Sequence, residues 1–205
     1  MKIILVGASG TVGKTIDQAF HGSEHQVIRV GKSRGDFQVN IEDPGSVAQL
    51  YQKINKAVGN FDAVVNATGE VAFAPLSQMT AEQWDLGLRS KLMGQVNLVQ
   101  QALPYINERG SFTLISGILS DDPILSGVSA TMVNRALEGF VIAAACELPK
   151  NLRINLVSPT VLKDSLNKYA AFFPGFAAAE SYDVGQAFKK SVLGIQTGQI
   201  YKVYG

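Results

Sequence analysis

Gly7, Gly10 and Gly13 stand three residues apart, directly after the apolar run Lys2–Val6. Glycines let a backbone turn tightly and let a ligand come close. The helical pattern that follows from Thr11 points unpaired N–H groups and a positive dipole end back at the turn. Together these features form an anion site, so Gly7, Ser9, Gly10, Thr11, Val12 and Gly13 are candidate phosphate contacts. Two motifs compete for the turn. The spacing G-x-x-G-x-x-G is related to the dinucleotide fingerprint G-x-G-x-x-G. Ala8 to Thr15 also nearly fits a P-loop, with Ala8 in place of the first glycine and Gly13-Lys14-Thr15 at its end. A P-loop nucleotide hydrolase further needs an acid at the end of an apolar strand to hold magnesium. The apolar runs Ala63–Val65 and Phe112–Ile115 end instead in Asn66 and Ser116. The P-loop reading therefore falls behind, and Lys14 reads as a solvated helix residue. A glycine-rich turn that binds nothing is the plain alternative.

A second cluster decides which dinucleotide would fit. In such folds an acid at the end of the second strand bonds the adenosine ribose and favours NAD, whereas a base there accepts the extra phosphate of NADP. The second apolar run ends Val30-Gly31-Lys32-Ser33-Arg34, with no acid. Arg34 offers a guanidinium fork, Lys32 a flexible cation and Ser33 a hydroxyl. NADP is favoured over NAD, with a solvated basic turn as the alternative.

The elements that must position these groups alternate along the chain. Strand patterns cover Lys2–Val6, Gln26–Val30, Asp36–Val39, Phe61–Asn66, Ser111–Ser116, Arg153–Val157 and Gln199–Val203. Helical patterns cover Thr11–Phe20, Pro44–Val58, Ala81–Ile106, Val128–Glu147 and Asp183–Ile195. Asp43 and Pro44 suit the start of a helix, and Pro149 suits the end of one. Short apolar strands between helices predict an α/β fold: one doubly wound, Rossmann-like parallel sheet over 1–205, of about seven strands with helices on both faces. Ligands bind such sheets beyond the carboxyl ends of the strands, where the strand order reverses. That rule gathers Gly7–Val12, Gly31–Arg34, Asn66–Gly69, Ser116–Gly117 and Ser158–Thr160 on one rim.

Composition narrows the function classes. With 205 residues, 46% hydrophobic and 17% charged, the chain can bury one sizeable core. A net charge of +1 gives no general attraction to nucleic acid. No apolar run spans a membrane, and the N-terminus lacks a signal-peptide layout. The single Cys146 lies in the apolar stretch Val141–Leu148 and reads as a buried hydrophobe. A cytoplasmic location is expected. His21 and His25 are too isolated to suggest a metal site, so none is expected.

Several further segments extend the pattern. Val64-Val65-Asn66-Ala67-Thr68-Gly69 looks like an N-N-A-G signature after a fourth strand. Leu92 to Val99 looks like an interface helix, and Ala136-Leu137-Glu138-Gly139-Phe140 like the helix that carries a catalytic tyrosine and lysine. Arg153-Ile154-Asn155-Leu156-Val157-Ser158-Pro159 is similar to R-V-N-x-V-x-P-G. With the glycine turn, these segments resemble the short-chain dehydrogenase/reductase family in order and over nearly the whole chain. The resemblance implies hydride transfer between a nicotinamide cofactor and a carbonyl or alcohol. It adds Asn40, Ile41, Asn66, Ala67, Thr68, Gly69, Asn134, Pro159 and Thr160 to the expected cofactor contacts. It also implies a homo-oligomer formed through helices 81–106 and 128–147.

The family's catalytic roles transfer poorly. Its tyrosine position falls on Ala130, its lysine on Asn134, its serine on Gly117 and its asparagine on Lys91. Ala130 has no proton to give, and Asn134 carries no charge. No tyrosine lies between Tyr105 and Tyr169. Two readings follow. One is an NADP-dependent oxidoreductase with a rebuilt catalytic set, in which Lys91 is the acid and Ser116 the carbonyl's hydrogen-bond donor. The other is a non-catalytic NADP-binding sensor or scaffold, in which Lys91 only holds ribose or phosphate. The stretch Tyr169–Ala179 occupies the place of the substrate loop, where Phe172, Phe173 and Phe176 would line a pocket or the core. The substrate is an unidentified small molecule.

Overall fold

The computed structural model describes residues 1–205. Seven strands form one sheet: β1 Lys2–Val6, β2 Gln26–Gly31, β3 Phe37–Gln38, β4 Phe61–Asn66, β5 Ile106–Ile115, β6 Arg153–Pro159 and β7 Ile200–Val203. The main helices are α1 Thr11–Ala19, α2 Pro44–Val58, α3 Ala81–Leu86, α4 Gly94–Ala102, α5 Val128–Glu147, α6 Leu166–Tyr169 and α7 Ser181–Leu193. The sheet order is β3-β2-β1-β4-β5-β6-β7, and every pairing is parallel. The order reverses between β1 and β4, which opens a crevice above their carboxyl ends.

Strand alternation divides two cores. On β1, Ile4 and Val6 face a core of 24 residues shared with α2, α4 and α5. Ile3 and Leu5 face a second core of 13 residues, where Ile16 of α1 meets Val184, Phe188 and Val192 of α7. Successive strand side chains point to opposite faces, so a doubly covered strand is apolar throughout. Asp43 caps α2 by accepting from the Gly45 N–H at 2.8 Å, with Pro44 in the first turn.

Three expectations need correction. The helix expected over 81–106 is three pieces: α3, a π-helical segment Gly87–Met93, and α4. Two close approaches flank the π-segment. A Cβ on Gly87 would lie 2.8 Å from Ser129 Oγ, and one on Gly94 would lie 2.8 Å from Ile41 Cδ1. The helix ends at Ala102, two residues before Pro104, and Ile106 already belongs to β5. Cys146 is exposed, not buried. Val141 and Ala144 hold the inward face of α5, and Cys146 lies about 200° around the helix from Ala144. The edge strand expected over Asp36–Val39 is only Phe37–Gln38.

Candidate active site

The glycine turn meets the crevice where the sheet order reverses. Gly7 has φ +86°, and a Cβ there would lie 2.3 Å from Thr68 Cγ2. Gly13 lets α1 pack on the turn, since its Cβ would fall 2.0 Å from the Gly7 carbonyl oxygen. Gly10 differs: a Cβ there would meet only that same oxygen, at 3.5 Å. The space over Gly10 is open, and no side chain caps α1 at this residue. The first N–H groups of α1 therefore face the crevice without a side-chain partner. Lys14 is exposed on α1.

Beside the turn, a pocket of about 100 Å³ is lined by Lys32, Asn40, Ile41, Thr68, Gly69 and Ser90, among others. Ser33 and Arg34 are exposed next to Lys32 and do not line it, and neither cation forms an ion pair with a carboxylate of the chain. Asn66 is fully buried and spends its side chain on its own loop. Its Nδ2 donates to the Thr68 carbonyl at 3.0 Å, and its Oδ1 accepts from Thr68 Oγ1 at 2.6 Å. Asn66 thus shapes the Asn66–Gly69 turn.

A larger cavity of about 330 Å³ opens beyond β4, β5 and β6. Lys91, Ser116, Asn134 and Thr160 meet there, with Val12, Gly69 and Pro159 on the wall. Gly117 and Ala130 also line it. Three buried polar atoms in this wall have no hydrogen-bond partner: Ser116 Oγ, Asn134 Oδ1 and Thr160 Oγ1. Their residues are 6%, 5% and 3% exposed. Buried polar atoms are rarely left unpaired, so a cluster of three in one cavity marks a wall that ordered water or a ligand pairs.

Lys91 enters from the π-segment. Such segments shift side chains out of helical register and recur at functional sites. Its backbone lies against Gly69, where a Cβ would be 3.0 Å from Lys91 Cα. The ammonium makes one long contact, donating to the Ser116 carbonyl at 3.5 Å, so at least two of its three donors are free. No Asp or Glu lines the cavity, and Tyr169 is its other titratable residue. Although the residue as a whole is only half-buried, removal of its ammonium from water lowers its pKa to about 8. Gln95, fully buried on α4, fixes this geometry. Its Nε2 donates to the Lys91 carbonyl at 2.9 Å and to the Ile115 carbonyl at 2.8 Å. Its Oε1 accepts from the Ile115 N–H at 3.0 Å.

Comparison with known proteins agrees with this architecture. A family model described as enoyl-(acyl carrier protein) reductase matches residues 12–191. The chain belongs to the short-chain dehydrogenase/reductase family. The protein lin1944 from Listeria innocua is 44% identical over the full length of both chains, with a TM-score of 0.94. An uncharacterized oxidoreductase of Staphylococcus epidermidis is 24% identical, covering 97% of this chain and 88% of its own. The human dehydrogenase/reductase SDR family member 2, mitochondrial, is 32% identical over 58% of this chain. A 3-oxoacyl-[acyl-carrier-protein] reductase of Thermotoga maritima is 25% identical over 64% of this chain. The matches span only 44% and 55% of the human and Thermotoga proteins.

Most of the residues singled out in the sequence fall into two groups. Gly7, Gly10, Thr11 and Gly13 build the turn, and Lys32, Asn40, Ile41, Thr68 and Gly69 the pocket beside it. Val12, Lys91, Ser116, Asn134, Pro159 and Thr160 line the large cavity. Ser9, Ser33, Arg34 and Ala67 line neither pocket. Of the three loop aromatics, Phe173 reaches the cavity, Phe176 packs edge-on against it, and Phe172 is exposed near Phe73. Sequence reasoning missed Val71, Phe73, Ile118, Leu119, Val161, Leu162 and Ser165. All but Ser165 are apolar residues in segments between the long elements, where no periodic signal marks them.

No helix is long and apolar enough to cross a membrane, and no group of three His, Cys, Asp or Glu side chains is placed to hold a metal.

Proposed function

We propose that this protein is an NADP(H)-dependent oxidoreductase acting on a small carbonyl or alcohol through a rebuilt catalytic set. The observation that carries the reading is the meeting of Lys91 with three unpaired buried polar atoms in one cavity beside the dinucleotide crevice. The residues suit the cofactor. The open face of Gly10 and the free start of α1 suit its pyrophosphate, and Lys32 and Arg34 suit a 2′-phosphate. Asn134 Oδ1 suits a ribose hydroxyl and Thr160 Oγ1 the carboxamide. A nicotinamide cofactor held by these residues would supply the hydride chemistry. The chain's own work is to hold the carbonyl and move a proton. Ser116 Oγ donates a hydrogen bond to the carbonyl oxygen, and the Lys91 ammonium gives that oxygen its proton as charge develops.

Ala130 and Asn134 stand where the family's tyrosine and lysine are expected, so the family's usual acid, worth roughly 10²–10⁴-fold, is replaced by Lys91, which serves only a substrate that its ammonium also holds. Simple ketones and aldehydes should therefore be turned over negligibly. The same two residues favour a second reading, a dinucleotide sensor without turnover. Replacing Lys91 with Met separates the two. Loss of NADPH oxidation with retained NADPH affinity fits the oxidoreductase. Vigorous turnover of generic carbonyls by the natural chain overturns the rebuilt set. We also assign to α4 and α5 the contact of a homo-oligomer. Their outer faces expose Met132 and Ile142, with Met93 at the start of α4, and sedimentation of the intact chain tests the assignment.

A further inference from the structure

The large cavity holds one cation and no counter-charge. Lys91 is the only charged residue in its wall, and no carboxylate of the chain reaches it. The ammonium's single partner is the neutral Ser116 carbonyl at 3.5 Å, a long contact for a charged donor. Around it the wall is largely apolar, including Val71, Ile118, Leu119, Ala130 and Phe173. A charge removed from water is costly unless it is paired. The chain leaves that pairing to whatever enters.

The wall also limits the kind of anion. A phosphate dianion is usually gripped by a guanidinium fork or by several backbone N–H groups. This cavity has no arginine, and its cation is a lone ammonium suited to a single negative charge. The apolar wall asks for a hydrocarbon body. Ser116 Oγ is unpaired at the end of β5, next to the carbonyl that Lys91 touches. An ammonium that touches the Ser116 carbonyl, with the hydroxyl of the same residue in the same wall, matches two adjacent oxygen groups on the ligand: a carboxylate and the carbonyl next to it.

We infer that the substrate is a 2-oxo acid with an apolar side chain, or the matching 2-hydroxy acid, and that Lys91 pairs with its carboxylate. This inference rests on the oxidoreductase reading for the reaction but not for the binding. Lys91 then has two tasks on neighbouring oxygens, pairing the carboxylate and supplying the proton for the alkoxide. Neutral ketones fail because they leave the ammonium unpaired.

Calorimetric titration with 2-oxohexanoate and with its neutral isostere 2-oxohexanamide tests the inference, with and without saturating NADPH. The acid is expected to bind at least about tenfold more tightly than the amide, the scale of a charge-assisted contact. Lys91→Met and Lys91→Gln should erase that preference while keeping the circular dichroism spectrum, and Lys91→Arg should retain part of it. Equal binding of acid and amide, or a preference that survives Lys91→Gln, overturns the anion site. A preference that survives while NADPH affinity falls shows that the ammonium serves the cofactor, and it overturns the inference as well. Acid-selective binding in a chain that does not bind NADPH upholds the anion site and defeats the oxidoreductase reading instead.

Discussion

Gln95 grips Ile115 at both its N–H and its carbonyl, with Oε1 and Nε2 at 3.0 and 2.8 Å. Since Nε2 also holds the Lys91 carbonyl, one buried amide ties the end of β5 to the π-segment. Ser116 and Lys91 are thereby held in one register. Gln95→Leu leaves the Ile115 N–H and carbonyl buried without partners and should cost about 3 kcal/mol. Gln95→Glu should be worse, since a carboxylate oxygen then faces two carbonyls. Chemical denaturation measures both. A stability unchanged in Gln95→Glu would show that the amide is not what joins the two elements.

Gly10→Val tests the dinucleotide turn. The protein itself has room there, because a Cβ meets only the Gly7 oxygen at 3.5 Å. The branched side chain would instead fill the space where a pyrophosphate must approach. NADPH binding should vanish while the melting temperature shifts little. Gly13→Val is the contrast. Its Cβ would fall 2.0 Å from the Gly7 oxygen, so that variant should lose the fold as well. Retained NADPH binding in a folded Gly10→Val protein would place the cofactor elsewhere.

The cations after β2 set the expected cofactor preference. Lys32 and Arg34 are exposed and pair with no acid, and Lys32 lines the pocket beside the turn. NADPH should bind more tightly than NADH, and Arg34→Ala should narrow the gap by about 1.5–3 kcal/mol, the range for a hydrogen bond to a charged group. Arg34 is exposed, so added salt should narrow it too. Equal affinities in the unmodified chain would remove the NADP assignment.

The Lys91 ammonium links two opposite pH effects. Below about 8 it is charged and can pair with a carboxylate, so affinity for 2-oxohexanoate should be level there and fall as pH rises through that value. Folding of the ligand-free chain should respond in the other direction. Lysine in the unfolded chain keeps its ordinary value of 10.5. Between about 8 and 10.5 the unfolded state therefore binds more protons, and stability gains with pH. The difference in urea stability between the natural chain and Lys91→Met should carry that slope. A flat difference across the window would mean that the folded state leaves this ammonium solvated.

Much of the fold was legible because local signals agreed with tertiary ones. The ends of α2 and α5 fell where Asp43-Pro44 and Pro149 put them, and the apolar runs of β1, β4 and β6 stood out because both sheet faces are covered. The glycine turn was readable for the same reason: Gly7 and Gly13 are required by contacts within a few residues or across one strand. The π-segment was not readable. Hydrophobic period does not separate three pieces of helix from one, and the side chains that meet Gly87 and Gly94 come from distant parts of the chain. Lys91 could be named as a candidate only through the resemblance, as the position of the family's asparagine, and its lack of a counter-charge depends on which loops surround it. Cys146 was misjudged because an apolar stretch on a helix does not say which face each residue takes.

The all-parallel sheet also sets the order in which the crevice is completed. The Thr68 methyl that packs over Gly7 is made some sixty residues after the glycine turn, just past the end of β4. β4 must insert beside β1 across an intervening β2, β3 and α2, a pairing between distant stretches of chain that forms slowly. The nascent turn is therefore a loose end until the middle of the chain arrives. A dinucleotide added during refolding should not hasten that insertion. It should lock the sheet afterwards, slowing unfolding instead of speeding folding.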